Sequence, residues 1–463
     1  MSAGALGAGL AAPRPLGWSG DLLATIALAL PLVAGQVSIL GMGVAEVVLA
    51  GHLGAHVLGT VAIGAALFNI ANLAAAGINA AVGPSVAQLD GARQRNLVGP
   101  LFRQALAIAL GVGLLLTLLV YAGLPPLVRA FGFAPALTED VGGFLRAVAP
   151  SALALSVFYC GRGLSEGLSR PRPTLAMGLL GLLVLVPVGY ALMYGAAGLP
   201  ALGARGAGYA TVIATAAQAG GFAVWLRYSG RYRGIGWRSG SRRLDRAAIA
   251  GLLRIGVPMA VSLVLEIALF SAAGLVIGRF GEVAESGHQV ALSVASLTFM
   301  MPLGVSIATT VRVGNAVGRG DAAGVRRAGA CGMALALLLQ GCSGAAMLLA
   351  PEPIARLYTT QPEVIRAAVT FLQIAGVFQL SDGLQVAGIG ALRGLKDTRV
   401  PMLITAFSYW GIGFPVALLL TFPLGYGPTG MWYGLIAGLT VAAALLSARF
   451  SHLSARLTQA WPR

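Results

Sequence analysis

The chain has 463 residues, 57% of them hydrophobic and only 10% charged, with a mean hydropathy of +0.84 and a formal net charge of +16. That balance excludes a water-soluble globular domain, and three cysteines in such a length exclude a disulfide scaffold. The basic residues are not interleaved with aromatics as a single-strand nucleic-acid surface requires, so anionic membrane lipid is their expected partner and nucleic acid is not.

Apolar runs long enough to cross a hydrocarbon core, about 20 residues each, recur from end to end. Twelve are predicted, at 22–50, 57–88, 100–122, 140–164, 172–196, 204–226, 247–278, 286–318, 326–351, 363–393, 399–422 and 428–450. The first is preceded by a long Gly/Ala-rich segment holding a single Arg14, with no small-residue cleavage site before a soluble domain, and is expected to be retained rather than removed as a signal peptide. Basic residues gather after even-numbered runs: Arg93, Arg95 and Arg103; Arg162, Arg170 and Arg172; the segment from Arg227 to Arg254; Arg312, Arg319, Arg326 and Arg327; Arg393, Lys396 and Arg399. With both ends of the chain these make 25 of the 31 Lys plus Arg, so both termini are expected to be cytoplasmic. Cys160, Cys331 and Cys342 lack metal or redox spacing and read as small packing residues. His52, His56, His288 and His452 are scattered near span ends, where a structural or interfacial role is expected.

An internal duplication organises the rest. Pro31-Leu32-Val33-Ala34 and Gly51-His52-Leu53-Gly54 line up with Pro258-Met259-Ala260-Val261 and Gly278-Arg279-Phe280-Gly281 at a constant shift of 227 residues, which also pairs Phe144-Leu145 with Phe371-Leu372 and Gly167-Leu168 with Gly394-Leu395. A six-span unit has therefore been doubled. An even number of spans per unit makes both copies enter the membrane from the same side, related by an axis along the membrane normal. The predicted fold is all-α and integral to the membrane, with twelve transmembrane helices in two six-helix bundles related by a pseudo-two-fold. The expected divisions are an N-terminal tail (1–21), a first lobe (22–226), a basic Gly-containing linker (227–246), a second lobe (247–450) and a C-terminal tail (451–463).

Three carboxylates fall deep inside apolar runs: Glu46, Glu266 and Asp382. A charge at the centre of a bilayer costs roughly 2.5 to 3.5 kcal/mol on insertion scales, so such acids are expected to hold a cation or carry protons. No Lys or Arg lies within two helical turns of any of them on its own run, which points to a mobile partner rather than a built-in one. Across the repeat Glu266 faces Ile39 and Asp382 faces Leu155, so these two acids belong to the second copy only.

At this point the residues resemble a known family. The stretch from Gln36 to Gly51, Gln88-Leu89-Asp90-Gly91-Ala92, Glu166-Gly167-Leu168-Ser169-Arg170-Pro171, Gly206-Ala207-Gly208-Tyr209-Ala210-Thr211, Glu266-Ile267-Ala268-Leu269-Phe270, His288-Gln289-Val290-Ala291 and Arg393-Gly394-Leu395-Lys396-Asp397-Thr398 look like the multidrug and toxic compound extrusion (MATE) transporters, in order and through both copies. The resemblance is closest to the bacterial branch that is often sodium-coupled. It implies that Glu266 and Asp382 form the cation site, binding Na+ as a metal ion or else H+. The first-helix acid of that branch is usually Asp, and Glu46 stands there one methylene longer. Span five carries Leu185 and Gly189 where many relatives have Asn, which argues against a proton site in the first lobe.

The residues fit this chemistry independently. Two carboxylates facing one another in a low-dielectric cleft cannot both stay ionised without a cation. Phe270 lies one turn after Glu266, Phe378 one turn before Asp382, and Ser293 one turn after Gln289, so each pair shares a helix face. Phe270, Phe299 and Phe378 could meet a cationic compound through their ring faces, and Gln289 and Ser293 could orient it. The expected function is a monomeric, multi-pass antiporter of the bacterial inner membrane that exports amphipathic cationic drugs in exchange for Na+ or H+, with no other cofactor. No Walker motif for ATP coupling is present. A lipid-linked precursor flippase of the same superfamily would be expected to line its cleft with several Arg. An integral membrane enzyme would want clustered His, Asp or Ser at one membrane face.

Overall fold

The computed structural model describes residues 17–130, 132, 134–236 and 243–461 and is helical nearly throughout. Among the described residues eleven helices are long and apolar enough to cross a membrane, and a bent pair, taken as one span, is a twelfth. In the first half these are α1 (Trp18–His52), α2 (Ala55–Gly91), α3 (Arg95–Ala130), α4 (Pro135–Val148 and Ser151–Gly167), α5 (Arg172–Tyr194) and α6 (Ala204–Tyr228). The second half holds α7 (Arg246–Gly278), α8 (Glu282–Gly318), α9 (Ala322–Leu349), α10 (Pro362–Gly394), α11 (Arg399–Thr421) and α12 (Pro428–Ala460). At 37 residues α8 is well beyond the roughly 20 that a bilayer demands, so its ends project past the hydrocarbon or the helix tilts. Leu183, Leu275 and Leu349 are 71%, 78% and 85% exposed on the outside of the bundle, the reverse of a water-soluble surface and the surface lipid tails require.

The duplication is written into the backbone. Gly54 and Gly281 turn the chain between the first and second helix of each half at φ 112° and 104°, a region only glycine enters freely. Ser169 and Lys396, also 227 residues apart, both stand at left-handed φ (57° and 59°) in the turn after the fourth helix. Pro31 of α1 and Pro258 of α7 sit inside their helices at matching places, where each removes one backbone hydrogen bond.

Several expected boundaries shift. The helix α1 begins at Trp18, so Asp21 belongs to its first turn rather than to a tail, because Arg312 and Arg327 of the other half both pair with its carboxylate. Likewise α12 runs on to Ala460. The described part of the linker is packed: Tyr232 is buried with its hydroxyl 2.9 Å from Ser165 Oγ, and the Gly99 N–H donates to the Ile235 carbonyl at 2.6 Å. Asp245 then caps α7, accepting from the N–H groups of Ala247 (2.9 Å) and Ala248 (3.2 Å). Arg14, Arg238, Arg242 and Arg463, counted above among the basic residues, and Gly240 lie outside the described residues.

The hydrogen bonds and ion pairs that join the halves gather at the arginine-rich end. Gln88 Nε2 donates to the Gly394 carbonyl at 2.9 Å, Asn315 Nδ2 to Ser169 Oγ at 3.1 Å, and Asp21 takes Arg312 and, at 2.8 Å, Arg327. Close backbone approach makes this possible. A Cβ on Gly91 would fall on the backbone of Asn315, and one on Gly318 on that of Gln88. The two bundles are thus sealed together at one end.

Candidate functional site

Glu266 and Asp382 lie near the middle of two long unbroken helices, α7 and α10. Asp382 is 12 residues from the arginine-rich end of α10, about 18 Å at 1.5 Å per residue. Asp382 is buried and Glu266 half-buried, and the two carboxylates act on each other electrostatically. Neither makes a side-chain hydrogen bond or an ion pair within 4 Å among the described residues.

Their surroundings are built by α11, which loosens into a π-helical turn over Phe407–Gly413. Such a turn admits one extra residue per hydrogen-bonded ring and re-aims the side chains on it. Here it carries Tyr409, fully buried, whose ring lies in the field of both acids and whose hydroxyl has no hydrogen-bond partner. The neighbouring Trp410 donates from Nε1 to the Leu265 carbonyl at 3.3 Å, fastening α11 beside Glu266. Gln385, one turn past Asp382, is also buried with neither amide atom satisfied. Unsatisfied buried oxygens beside two carboxylates are the donor set a hard monovalent cation takes.

The charge of one basic residue reaches the acids: Arg393, three turns beyond Asp382 on α10, acts on Glu266 of α7 across the bundle. It was invisible on either run alone because the partnership crosses between helices. No ion pair within 4 Å forms, and Arg393 Nε is buried without a hydrogen-bond partner, so the guanidinium offsets charge without closing on the acid.

The aromatic residues assemble around Phe378, one turn before Asp382. Phe270 and Phe378 meet edge to face with ring centroids 5.9 Å apart, Phe378 meets Trp432 at 5.7 Å, and Trp432 meets the buried His288 at 5.6 Å. Trp432 was not foreseen; it is fully buried and lies at the centre of this packing. A polar chain braces the same helices, Gln340 donating to Gln379 (2.5 Å) and Gln379 to Thr298 Oγ1 (2.6 Å). Of the other candidates, Gln289 is exposed and donates to Glu285 at 2.6 Å, Ser293 is exposed and bonds the Tyr358 hydroxyl at 3.3 Å, and Phe299 is half-buried on α8. Glu46 is not brought to the pair. It lies in the first half, where Thr211 Oγ1 of α6 donates to it at 3.4 Å. Among the described residues no three His, Cys, Asp or Glu converge as a metal cluster, so a cation at the pair would rest on two carboxylates and neutral oxygens.

A duplicated six-helix unit spanning the membrane, with an acid pair at mid-depth of one copy, defines a polytopic membrane protein built as secondary transporters are. The MatE family profile matches twice, over residues 31–191 and 258–419, at the same offset as the repeats, and the chain belongs to the MatE family, the multidrug and toxic compound extrusion transporters. The "Probable multidrug resistance protein NorM" of Xanthomonas axonopodis pv. citri is 44% identical over 442 residues, covering 96% of each chain. The multidrug resistance protein PmpM of Pseudomonas aeruginosa is 37% identical over 440 residues, covering 94% of this chain and 92% of that one. The crystal structure of the eukaryotic MATE transporter AtDTX14 superposes with a TM-score of 0.84 over 96% of this chain and all of the other, at 20% identity, a likeness of fold. The family is one of transporters, not of enzymes.

Proposed function

We propose that the protein is a secondary active multidrug efflux antiporter that exports amphipathic cationic compounds in exchange for Na+ or H+ by alternating access. The observation that carries this reading is the pair Glu266 and Asp382, two mid-span acids of one half only, with the charge of Glu266 felt at Asp382 and neither acid closed in an ion pair among the described residues. Acids left open in this way accept a monovalent cation and release it when their geometry changes. Coupling then needs only that drug and cation differ in affinity between two conformations. The seal at the arginine-rich end describes one of those conformations, and the positive-inside rule makes that end cytoplasmic, with both termini there and the protein in the bacterial inner membrane. Phe270, Phe378 and Phe299 with Gln289 and Ser293 would meet the exported compound.

The flippase reading asks for several Arg in the central cleft. Among the described residues Arg393 is the arginine whose charge reaches Glu266, and the arginines lining the space between the halves lie at the sealed end. Efflux of a fluorescent cation from proteoliposomes, under separately imposed Na+ and pH gradients, tests the proposal. An inward Na+ gradient at fixed pH is expected to drive efflux, and transport that ignores both gradients would overturn antiport. A reporter fused after Tyr426 should read periplasmic and one after Arg233 cytoplasmic; a cytoplasmic Tyr426 fusion would undo the topology.

A further inference from the structure

At the sealed end, between the two halves, lies a cavity of about 820 Å3. That is within the roughly 300 to 1,000 Å3 typical of small-ligand sites. Six arginines line it: Arg170 and Arg172 from the first half, Arg231 from the linker, and Arg312, Arg319 and Arg327 from the second half. Among the described residues the acids in its wall are two, Asp21 and Asp321, and both are engaged, Asp21 by Arg312 and Arg327 and Asp321 by Arg327 at 3.9 Å. Six guanidiniums against two carboxylates leave an excess of four positive charges around one space.

A basic loop that serves only to orient a membrane protein can spread its charges into solvent. These converge. Arg170 is laid over the Tyr232 ring at 5.0 Å and donates to the Arg231 carbonyl, so its guanidinium is held in place rather than free to swing away. Burial first, and then the charges of Arg95 and Arg231, hold the Arg170 guanidinium below its ordinary pKa, although Tyr232 and Asp90 oppose them. Arg312 keeps its Nε buried with no hydrogen-bond partner while its Nη2 takes Asp21. Planar guanidiniums offer paired N–H groups that match the oxygens of a phosphate bidentately, and several of them around one space suit an anion with several oxygens.

We propose that this cavity is a binding site for a phosphate-bearing anion, supplied by a lipid headgroup or by the aqueous phase, and that its occupation favours the conformation in which this end is closed. The second part follows from the first. Because the walls come from both halves, separating them would break the site, and a ligand shifts an equilibrium toward the state that binds it better.

The full chain in nanodiscs tests this by thermal unfolding. One arm titrates sodium pyrophosphate against sodium chloride at matched ionic strength in phosphatidylcholine; the other replaces part of that lipid with phosphatidylglycerol. A saturable rise in unfolding temperature is expected in at least one arm, the pyrophosphate arm indicating a soluble anion and the phosphatidylglycerol arm a headgroup. Arg231→Gln and Arg319→Gln, neither residue belonging to an ion pair among the described residues, should each weaken the response by about tenfold, the size of one charge-assisted contact. Arg366→Gln, an exposed arginine near the start of α10 at the opposite end, should leave it unchanged. No stabilisation in either arm, or equal weakening by Arg366→Gln, would overturn the proposal and leave the arginines a topological role alone.

Discussion

The two halves share a backbone plan and differ in what they do with charge. In the first, α4 is broken at Ala149 and Pro150 and bends by 41°. In the second, Val377 stands where Pro150 would, and α10 runs unbroken, carrying Phe378, Asp382, Gln385 and Arg393 on one rod. The first half places Glu166 opposite Arg393 in the repeat and neutralises it within its own helix, Arg162 Nε donating to Glu166 at 2.6 Å with both residues buried. The second half has Ile389 in place of Arg162, so its cation has no partner along the helix and acts on Glu266 across the bundle. A buried pair closed within a helix is a fixture. An open arrangement of two acids and one arginine can exchange an ion.

Neutralising the pair should have the largest effect. Glu266→Gln and Asp382→Asn are each expected to reduce gradient-driven efflux to background while the protein still inserts and unfolds at its usual temperature, measured in proteoliposomes and by thermal unfolding. Wild-type rates in both would erase the contrast between the halves.

The two arginines sharpen the comparison further. Arg393→Gln removes the charge that offsets the acids, so the coupling cation should bind about tenfold more tightly, roughly 1.4 kcal/mol, with slower turnover; the cation dependence of efflux reads this directly. Arg162→Gln in the first half should act on stability instead. It strands Glu166 in a buried site, a loss of about 3 kcal/mol, with the cation dependence unchanged in the protein that remains folded. Exchanged outcomes would mean that the roles assigned to the two positions are reversed.

Much of the fold was legible in the sequence because spans, turns and offset are local or periodic signals: the twelve apolar runs, the glycines at 54 and 281, the 227-residue shift. The acids were legible because a charge in an apolar run is conspicuous. What crossed between helices was not. Arg393 looked like a loop residue after span ten, Asp21 like part of a tail, and Tyr409, Gln385 and Trp432 like ordinary residues of apolar runs. The repeat held a usable signal for the site, since Arg393 stands opposite Glu166, Gln385 opposite Phe158 and, at the 228-residue offset set by Pro187 and Pro415, Tyr409 opposite Gly181. Reading every chemical mismatch across the duplication, rather than the acids alone, would have found them.

Glu46 should produce the smallest effect if Na+ is the coupling ion. It is the one mid-span acid of the first half, it faces Thr211, and its counterpart in the second half is the fully buried Ala273, so the halves place their acids at different positions rather than sharing a site. The cluster beside it is apolar, with Leu185, Ala210 and Ala214 buried together and Ala45 packed against them. Glu46 has one side-chain partner among the described residues, Thr211, and shares no ion with the pair, so Glu46→Gln should leave the Na+ exchange step untouched and keep Na+-driven efflux within about a factor of two, roughly the 0.5 kcal/mol by which uncoupled sites deviate. The opposite result has an equally definite meaning. If efflux follows only the pH gradient and Glu46→Gln abolishes it, the coupling ion is the proton, its carrier sits in the first half, and the asymmetry that places exchange in the second half fails.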